Sequence, residues 1–338
     1  MMELPNPAPV LDLIQAFRLS KTMFTAVSLG IFDRLQEGPA ELPTLARKLG
    51  TSGDALQRML DSCVGLGFLR KENGSYANTP IAEAYLTRSS PNTLTGYILY
   101  SDRALYQLWG NLEAAVCEGT NRWEQTFGEE VSLFDHFFRT QEARRDFLSG
   151  MDGLGRLSSP AVVSSFDLRR FKRMVDLGGA TGHLVLEACG QYPGLRAAIF
   201  DLPGVIAVAR EYLMRSPHAE RIELIAGDFF LDPLPEGDLF ALGRILHDWA
   251  ESNIRTLLRK VWDRLPSGGA ILIAEKLLAD DKSGPLPALM QSLNMLVCTE
   301  GKERTLAEYT ALLNQAGFSR VEAKATNSPL DAILAVKV

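Results

Sequence analysis

No stretch of the chain approaches the roughly 18 consecutive apolar residues that a membrane-spanning helix needs. The start, Met1-Met2-Glu3-Leu4-Pro5-Asn6-Pro7, lacks a basic region followed by an apolar one, so no signal peptide is expected. Charge of one sign is not concentrated anywhere. Thirty-five Lys and Arg stand against 41 Asp and Glu, a net charge of −6, which argues against a nucleic-acid or membrane-surface partner. Cysteine is scarce: Cys63, Cys117, Cys189 and Cys298 lie far apart, with neither disulfide-framework nor metal-ligand spacing. No metal is expected, and a reducing, cytoplasmic location is. No repeat or low-complexity segment interrupts the 338 residues. With 46% hydrophobic and 22% charged residues, the composition is that of a globular chain long enough for two domains.

The two halves read differently. Between Val10 and Leu35 apolar residues recur at helical spacing (Leu11, Leu13, Ile14, Phe17, Met23, Phe24, Val27, Leu29). Residues 42–49 read as a short helix closed by Gly50, and Thr51 or Ser52 can cap the next one, which runs through Leu56, Met59, Leu60 and Val64 to Gly67. Phe68 to Tyr76 reads as a hairpin turning at Asn73-Gly74. Helix, turn, helix and hairpin make a winged helix, which invites a DNA-binding reading. The recognition helix, however, carries Asp54, Arg58 and Asp61, an acidic balance where phosphate contact needs Lys and Arg. Its many apolar residues suit burial and dimerisation better. Residues 98–165 look helical again and would cover or connect the halves.

From Arg173 onward, short apolar runs alternate with helical stretches. Residues 174–177, 197–201, 222–226, 239–242 and 270–275 read as five strands of a parallel sheet with helices on both faces. Residues 320–325 and 332–338 have no helix between them, so they should pair antiparallel at or near one edge.

The first of these strands runs into Asp176-Leu177-Gly178-Gly179-Ala180-Thr181-Gly182. Glycines there let the backbone turn sharply and approach a ligand just before a helix N-terminus. By itself the segment also fits a tight strand-to-helix turn that binds nothing. It is not the dinucleotide fingerprint, because the third glycine falls four residues after Gly178. Asp201 ends the second strand, 23 residues beyond Gly178, where a carboxylate can accept from both ribose hydroxyls. Asp228-Phe229 ends the third, an acid and an aromatic suited to the amine and the face of adenine. Ligands of open parallel sheets bind beyond the carboxyl ends of the strands, where all three lie. NAD would need a second βαβαβ half for its nicotinamide, and the antiparallel pair takes its place here. S-adenosylmethionine, leaving as S-adenosylhomocysteine, fits better.

The fourth strand leads to Arg244-Ile245-Leu246-His247-Asp248-Trp249, Glu275 ends the fifth, and Glu303 follows in Thr299-Glu300-Gly301-Lys302-Glu303-Arg304. One imidazole flanked by carboxylates is what a proton-abstracting site needs, since a carboxylate orients the ring and stabilises the imidazolium. Reaching a phenolate at neutral pH costs roughly 4 kcal/mol from a reference pKa of about 10, which a positioned base can offset. Each residue also has a bland reading: His247 as a structural histidine, Glu275 as a strand-end ion-pair residue, Lys302-Glu303-Arg304 as a solvated turn. Only their joint placement favours catalysis by His247, Glu275 and Glu303. His136, His183 and His218 show no comparable setting.

The segments DLGGATGHL, FDLPGVI, AGDFF, DPLP, RILHDW and SLNMLVCTEGKERT resemble those of the plant-type small-molecule O-methyltransferases, with greatest similarity to the acetylserotonin O-methyltransferases and their like. The resemblance covers nearly the whole chain. It implies a class I methyltransferase domain at 171–338, a winged-helix dimerisation domain at 1–100 giving a homodimer, and a helical connector and pocket cover at 101–170. It further implies methyl transfer to a small hydroxylated aromatic molecule, with His247 as base. A relative that binds the cofactor without transferring methyl is the alternative. By motif, Gly178, Asp201, Asp228, Phe229 and Arg244 would bind cofactor, while Phe147, Asp248, Asn294, Met295 and Cys298 would meet the substrate. Two positions depart from the family. Ala180 replaces a frequent glycine, which a negative φ would tolerate. Cys298 stands where the acetylserotonin enzymes carry a glutamine, and a thiol replaces an amide's hydrogen bonding poorly.

Overall fold

The computed structural model describes residues 4–128 and 140–338. Its contacts divide the chain into two compact units, Met1–Ala104 and Leu105–Val338. The first opens with α1 (Ala8–Ser28) and α2 (Ile31–Leu35). The single apolar periodicity read from Val10 to Leu35 is broken between them, where Gly30 adopts φ +73°, a conformation that a glycine takes without a Cβ penalty. β1 (Ala40–Glu41), α3 (Leu42–Leu49), α4 (Gly53–Gly65), β2 (Leu69–Glu72), β3 (Ser75–Asn78), α5 (Pro80–Tyr85) and α6 (Thr95–Tyr100) follow. The β2–β3 hairpin pairs Glu72 with Ser75 across Asn73 and Gly74, both with positive φ (49° and 81°). That is the two-residue turn whose twist matches the flanking strands.

Leu56, Leu60 and Cys63 of α4 are buried with Ile31, Phe32 and Leu45, so the apolar face of that helix is spent on its own unit. Its exposed face carries the Asp54–Arg58 ion pair (2.7 Å). The first half of α1 differs, because Val10 (62%), Leu13 (77%), Ile14 (58%) and Phe17 (53%) are largely exposed. A row of exposed apolar side chains on one helix marks an interaction surface rather than ordinary scatter.

The second unit holds α7 (Tyr106–Trp109), α8 (Leu112–Glu118), α9 (Trp123–Phe127) and α10 (Gln141–Ser164), then an alternation of strands and helices. The strands are β4 (Arg173–Leu177), β5 (Arg196–Asp201), β6 (Ile222–Ala226), β7 (Leu239–Gly243), β8 (Ala270–Glu275), β9 (Ser319–Lys324) and β10 (Asp331–Val336). They form one sheet in the order β6-β5-β4-β7-β8-β10-β9. The first five run parallel, and β10 lies antiparallel between β8 and β9.

Both faces of this sheet are covered, and the strands show it. In β8, Ala270, Leu272 and Ala274 join one buried cluster while Ile271 and Ile273 join the other, as a period of two requires. The first face is packed by α10, α11 (His183–Gln191) and α12 (Pro203–Leu213). The second is packed by α13 (Glu251–Arg264) and, after α14 (Leu286–Cys298), by α15 (Leu306–Ala316). Strand order reverses between β4 and β7, which opens a crevice beyond their carboxyl ends. No described helix is long and apolar enough to cross a membrane.

Candidate active site

The glycine turn follows β4 at that crevice. Gly178 (φ +68°) donates its N–H to Phe200 O at 2.8 Å. A Cβ there would lie 2.5 Å from Ile245 Cδ1 and 3.5 Å from the Phe229 ring. Ala180 has φ +48°. The negative φ that would make alanine a harmless replacement at this position is not what the turn adopts, so its Cβ sits in the left-handed region at some cost in strain.

Asp201 ties the turn to β5: its Oδ2 accepts from Ala180 N (2.9 Å) and its Oδ1 from Leu202 N (2.7 Å). Burial lifts Asp201 to about 6, against the lowering effect of those two bonds. Asp176, deeper in the crevice, is lifted to about 8 by burial and by its neighbour Asp201. Two carboxyls facing a glycine turn, one buried and one half-buried, form a site that rewards a cationic, hydroxyl-rich ligand. The residues present therefore fit an adenosyl sulfonium.

Asp228 is engaged locally, its Oδ1 accepting from Phe230 N at 2.7 Å, which shapes the turn that presents Phe229. Phe229, Phe230 and Trp249 form an edge-to-face cluster with centroids 4.8–6.5 Å apart. Lys260 of α13 holds this segment from behind, its Nζ donating to Phe229 O, Phe230 O and Asp232 O (2.7–2.9 Å). Arg244 adopts φ +56° and lines a small cavity with His183, Ser159 and Gly243. His183 is half-buried there, with Nδ1 2.8 Å from Ser159 Oγ, and desolvation holds it down at about 4. The ordinary reading of this histidine from sequence missed this part-buried polar contact beside the glycine turn.

His247 sits in a 3-10 turn, Leu246–Asp248, just past β7. Its Nδ1 lies 2.6 Å from Glu303 Oε1 and 3.2 Å from Glu275 Oε2, and its Nε2 lies 3.7 Å from Asp248 Oδ1. The structure thus brings together three residues 28 and 56 positions apart. Glu275 Oε1 accepts from the backbone N–H groups of Ile245, Leu246 and His247 (3.0–3.4 Å), fixing the turn as well as facing the ring. Nδ1 is hydrogen-bonded to Glu303 with Glu275 Oε2 at ion-pair distance, so Nε2 is the nitrogen committed to neither glutamate. Burial opposes protonation of His247, but Glu275 and Glu303, then Asp248, outweigh it and push the ring up to about 10. Burial raises Glu275 to about 7 and Asp248 to about 6, each partly offset by His247. Sequence spacing showed no clustered metal ligands, yet donor atoms of His247, Glu275 and Glu303 lie within 4.8 Å of one another.

Asn294, Met295 and Cys298 lie on α14 and are buried (9%, 5% and 2% exposed). Trp109 Nε1 donates to Asn294 Oδ1 at 2.9 Å, and the Cys298 thiol reaches the same oxygen at 3.7 Å. An indole N–H can only donate, so the amide is oriented with its NH2 group free of that contact. Burial pushes the Cys298 thiol far up, and the charge of Asp248 adds to it. Phe147 is buried on α10. Trp109 was not singled out in the sequence, because nothing local links it to a residue 185 positions away.

A mostly parallel seven-stranded sheet, a glycine turn after its first strand, an acid after its second and a carboxylate-held histidine together define a class I methyltransferase. Residues 109–319 match the O-methyltransferase domain and residues 11–88 the O-methyltransferase dimerisation domain. The chain is 42% identical to the acetylserotonin O-methyltransferase of Gallus gallus, covering 99% of both chains. It is 39% identical to that of Homo sapiens, covering 96% of both. The crystal structure of human N-acetylserotonin methyltransferase in complex with SAM superposes with a TM-score of 0.93 at 38% identity, over 100% of this chain and 99% of that one. PigF with SAH gives 0.89 at 29% identity, over 98% and 100%. The chain belongs to the O-methyltransferase family, as an S-adenosylmethionine-dependent enzyme of the acetylserotonin type.

Proposed function

We propose that the protein methylates a hydroxyl of a small aromatic molecule, with His247 as general base. The observation that carries this reading is the 2.6 Å contact between His247 Nδ1 and Glu303, backed by Glu275 at 3.2 Å. It leaves Nε2 to exchange the proton, once the ring has given up the one it carries at neutral pH. A ring near 10 matches a phenol near 10, so transfer between them is close to balanced. S-adenosylmethionine supplies a methyl group on a positively charged sulfur, and that like charge lowers the proton affinity of the ring. Gly178, Asp201, Asp228, Phe229 and Arg244 hold the cofactor at the strand ends. Asp248, Asn294, Met295, Cys298 and Phe147 form the acceptor pocket.

Relatives bear the name of acetylserotonin, but Cys298 is an unsuitable partner for an amide. Its buried thiol is already directed at Asn294 Oδ1. A phenol, hydroxyindole or polyketide phenol without that amide suits the pocket better. The exposed apolar row of α1, within the segment matching the dimerisation domain, supports a homodimer built through a winged-helix N-terminal region of about 1–100. Residues 101–170 serve as pocket cover and 171–338 as the cofactor domain. Neither nucleic acid nor membrane belongs to this reading, and the cytoplasm is its setting.

Transfer of labelled methyl to a panel of phenols tests the activity. His247→Ala should abolish turnover while calorimetry shows cofactor affinity unchanged; retained turnover removes His247 from the mechanism. The cluster of His247, Glu275 and Glu303 handles a proton and not a metal, so a chelator should leave turnover unchanged.

A further inference from the structure

We propose that Arg304 is a positioning residue that holds the His247 turn against Glu303, with Gly301 providing the close approach this requires. The inference rests on the reading of His247 as base. Arg304 is 1% exposed, among the largest fully buried side chains of the protein. Its Nη1 donates to Leu246 O (3.2 Å) and Lys302 O (3.0 Å), and its Nη2 to Trp249 O (3.3 Å). One planar guanidinium therefore grips the 3-10 turn on both sides of His247, a two-point grip that the fork geometry of arginine allows and a lysine ammonium does not.

The segment that carries Arg304 is itself anchored. Arg304 O accepts from Leu278 N at 3.0 Å, just past β8. Thr305 then begins α15 with a capping box to Glu308, so the root of the arginine is fixed at both ends. Glu300 Oε1 accepts from Ala250 N (3.0 Å) and Asn253 Nδ2 (2.7 Å), tying the same segment to the start of α13. Between these anchors, Gly301 packs on the catalytic turn: a Cβ there would lie 2.1 Å from His247 O and 2.7 Å from Trp249 N. Glu300, Gly301, Glu303 and Arg304 thus each touch the turn or its continuation. They set how far His247 Nδ1 stands from Glu303 Oε1. Misplacing a reacting group by about 1 Å can cost roughly 100-fold in rate.

The test is the pH dependence of kcat in Arg304→Met, Arg304→Lys and Gly301→Ala, alongside cofactor affinity and melting temperature. The charged groups facing His247 are Glu275 from β8, Glu303 from the anchored segment and Asp248 from its own turn, with Arg244 facing Asp248 and Glu275. Drift of the turn away from the two glutamates weakens their hold on the ring proton. The acid limb of the kcat profile then moves to lower pH and the plateau falls by about 10- to 100-fold, with KM for the cofactor unchanged. Gly301→Ala reaches the same displacement by steric push, so it should move the limb in the same direction, and it carries the test if Arg304→Met does not fold. Variants that are less thermostable but keep the wild-type limb and plateau would overturn the proposal and leave Arg304 a structural residue. Turnover surviving in His247→Ala would instead overturn the base assignment, which keeps the two failures separate.

Discussion

Glu303→Gln perturbs the proposed base by removing one charge and little else. Gln has the same shape, and its Oε1 can still accept from His247 Nδ1 across the present 2.6 Å. What disappears is the negative charge beside a ring that becomes an imidazolium as the substrate proton arrives. A hydrogen bond to a charged group is worth about 1.5–3 kcal/mol, and a contact ion pair at intermediate dielectric up to about 4 kcal/mol. Glu303 is 2% exposed, so water does little to replace it. The loss of about 1.5–4 kcal/mol predicts a fall in kcat of roughly 10- to 900-fold. Glu303 and Glu275 both raise the proton affinity of His247. The acid limb of the pH–rate profile should therefore shift to lower pH while the plateau drops. Labelled-methyl transfer across pH reads both effects, and calorimetry shows whether cofactor affinity has stayed constant. A variant with wild-type kcat and limb would refute the reasoning, as would a loss that simply tracks weakened cofactor binding.

Three further outcomes are expected. Trp109→Phe removes the donor to Asn294 Oδ1 and lets the amide turn over, so ratios of kcat/KM across an acceptor panel should change by about 2- to 10-fold, the scale of one neutral hydrogen bond; unchanged ratios would show that the amide orientation does not select the acceptor. Ala180→Gly relieves a Cβ held at φ +48° and should raise stability in denaturant by about 0.5–1 kcal/mol, the strain outweighing the added freedom of the unfolded glycine. Asp176, with its folded pKa raised to about 8, binds a proton that the unfolded chain releases near its reference of about 3.9. Its contribution to stability is full below the unfolded value and lost as pH rises through the folded one. Glu275 and His247 are raised as well and act in the same direction, whereas His183, held near 4, has finished titrating above about pH 6.5. Melting temperature without cofactor should therefore decline from about pH 6.5 to 8.5, and less steeply in Asp176→Asn; equal slopes would contradict the burial argument.

The central strands β4, β5, β7 and β8 were legible because each is a short, mostly apolar run buried on both faces, and Asn73-Gly74 was legible because its residue types suit the positive φ that the hairpin needs. The antiparallel C-terminal pair followed from the missing helix between its strands. What stayed hidden was burial that depends on partners distant in sequence. Lys302-Glu303-Arg304 carries three charges in a row and fits a solvated turn as well as an active site, yet Arg304 is 1% exposed because the carbonyls of Leu246 and Trp249 receive it. His183 gave no signal, since its partner Ser159 comes from the helix packed across it. The sign of φ at Ala180 also escaped. A residue type states what is comfortable, and the turn after β4 imposes a conformation that alanine adopts only under strain.

These buried groups follow one rule. The charges of the site are shared between atoms that must stay put. Glu275 spends one oxygen on three backbone N–H groups of the turn and offers the other to His247. Lys260 spends its ammonium on three carbonyls behind Phe229. Arg304 spends its guanidinium on the carbonyls around His247. Each such group would be costly to bury wholly unpaired, at several kcal/mol, so these bonds limit the alternative arrangements of the loops. Lids and loops free to rearrange would suit an enzyme that assembles its base on binding. Here His247 already stands in contact with Glu303 and Glu275, so under the proposed mechanism what substrate binding must still do is align the acceptor oxygen with Nε2. On that proposal, selectivity rests on the shape and polarity of the α14 side of the pocket, where Asn294 and Cys298 stand, and not on His247 itself.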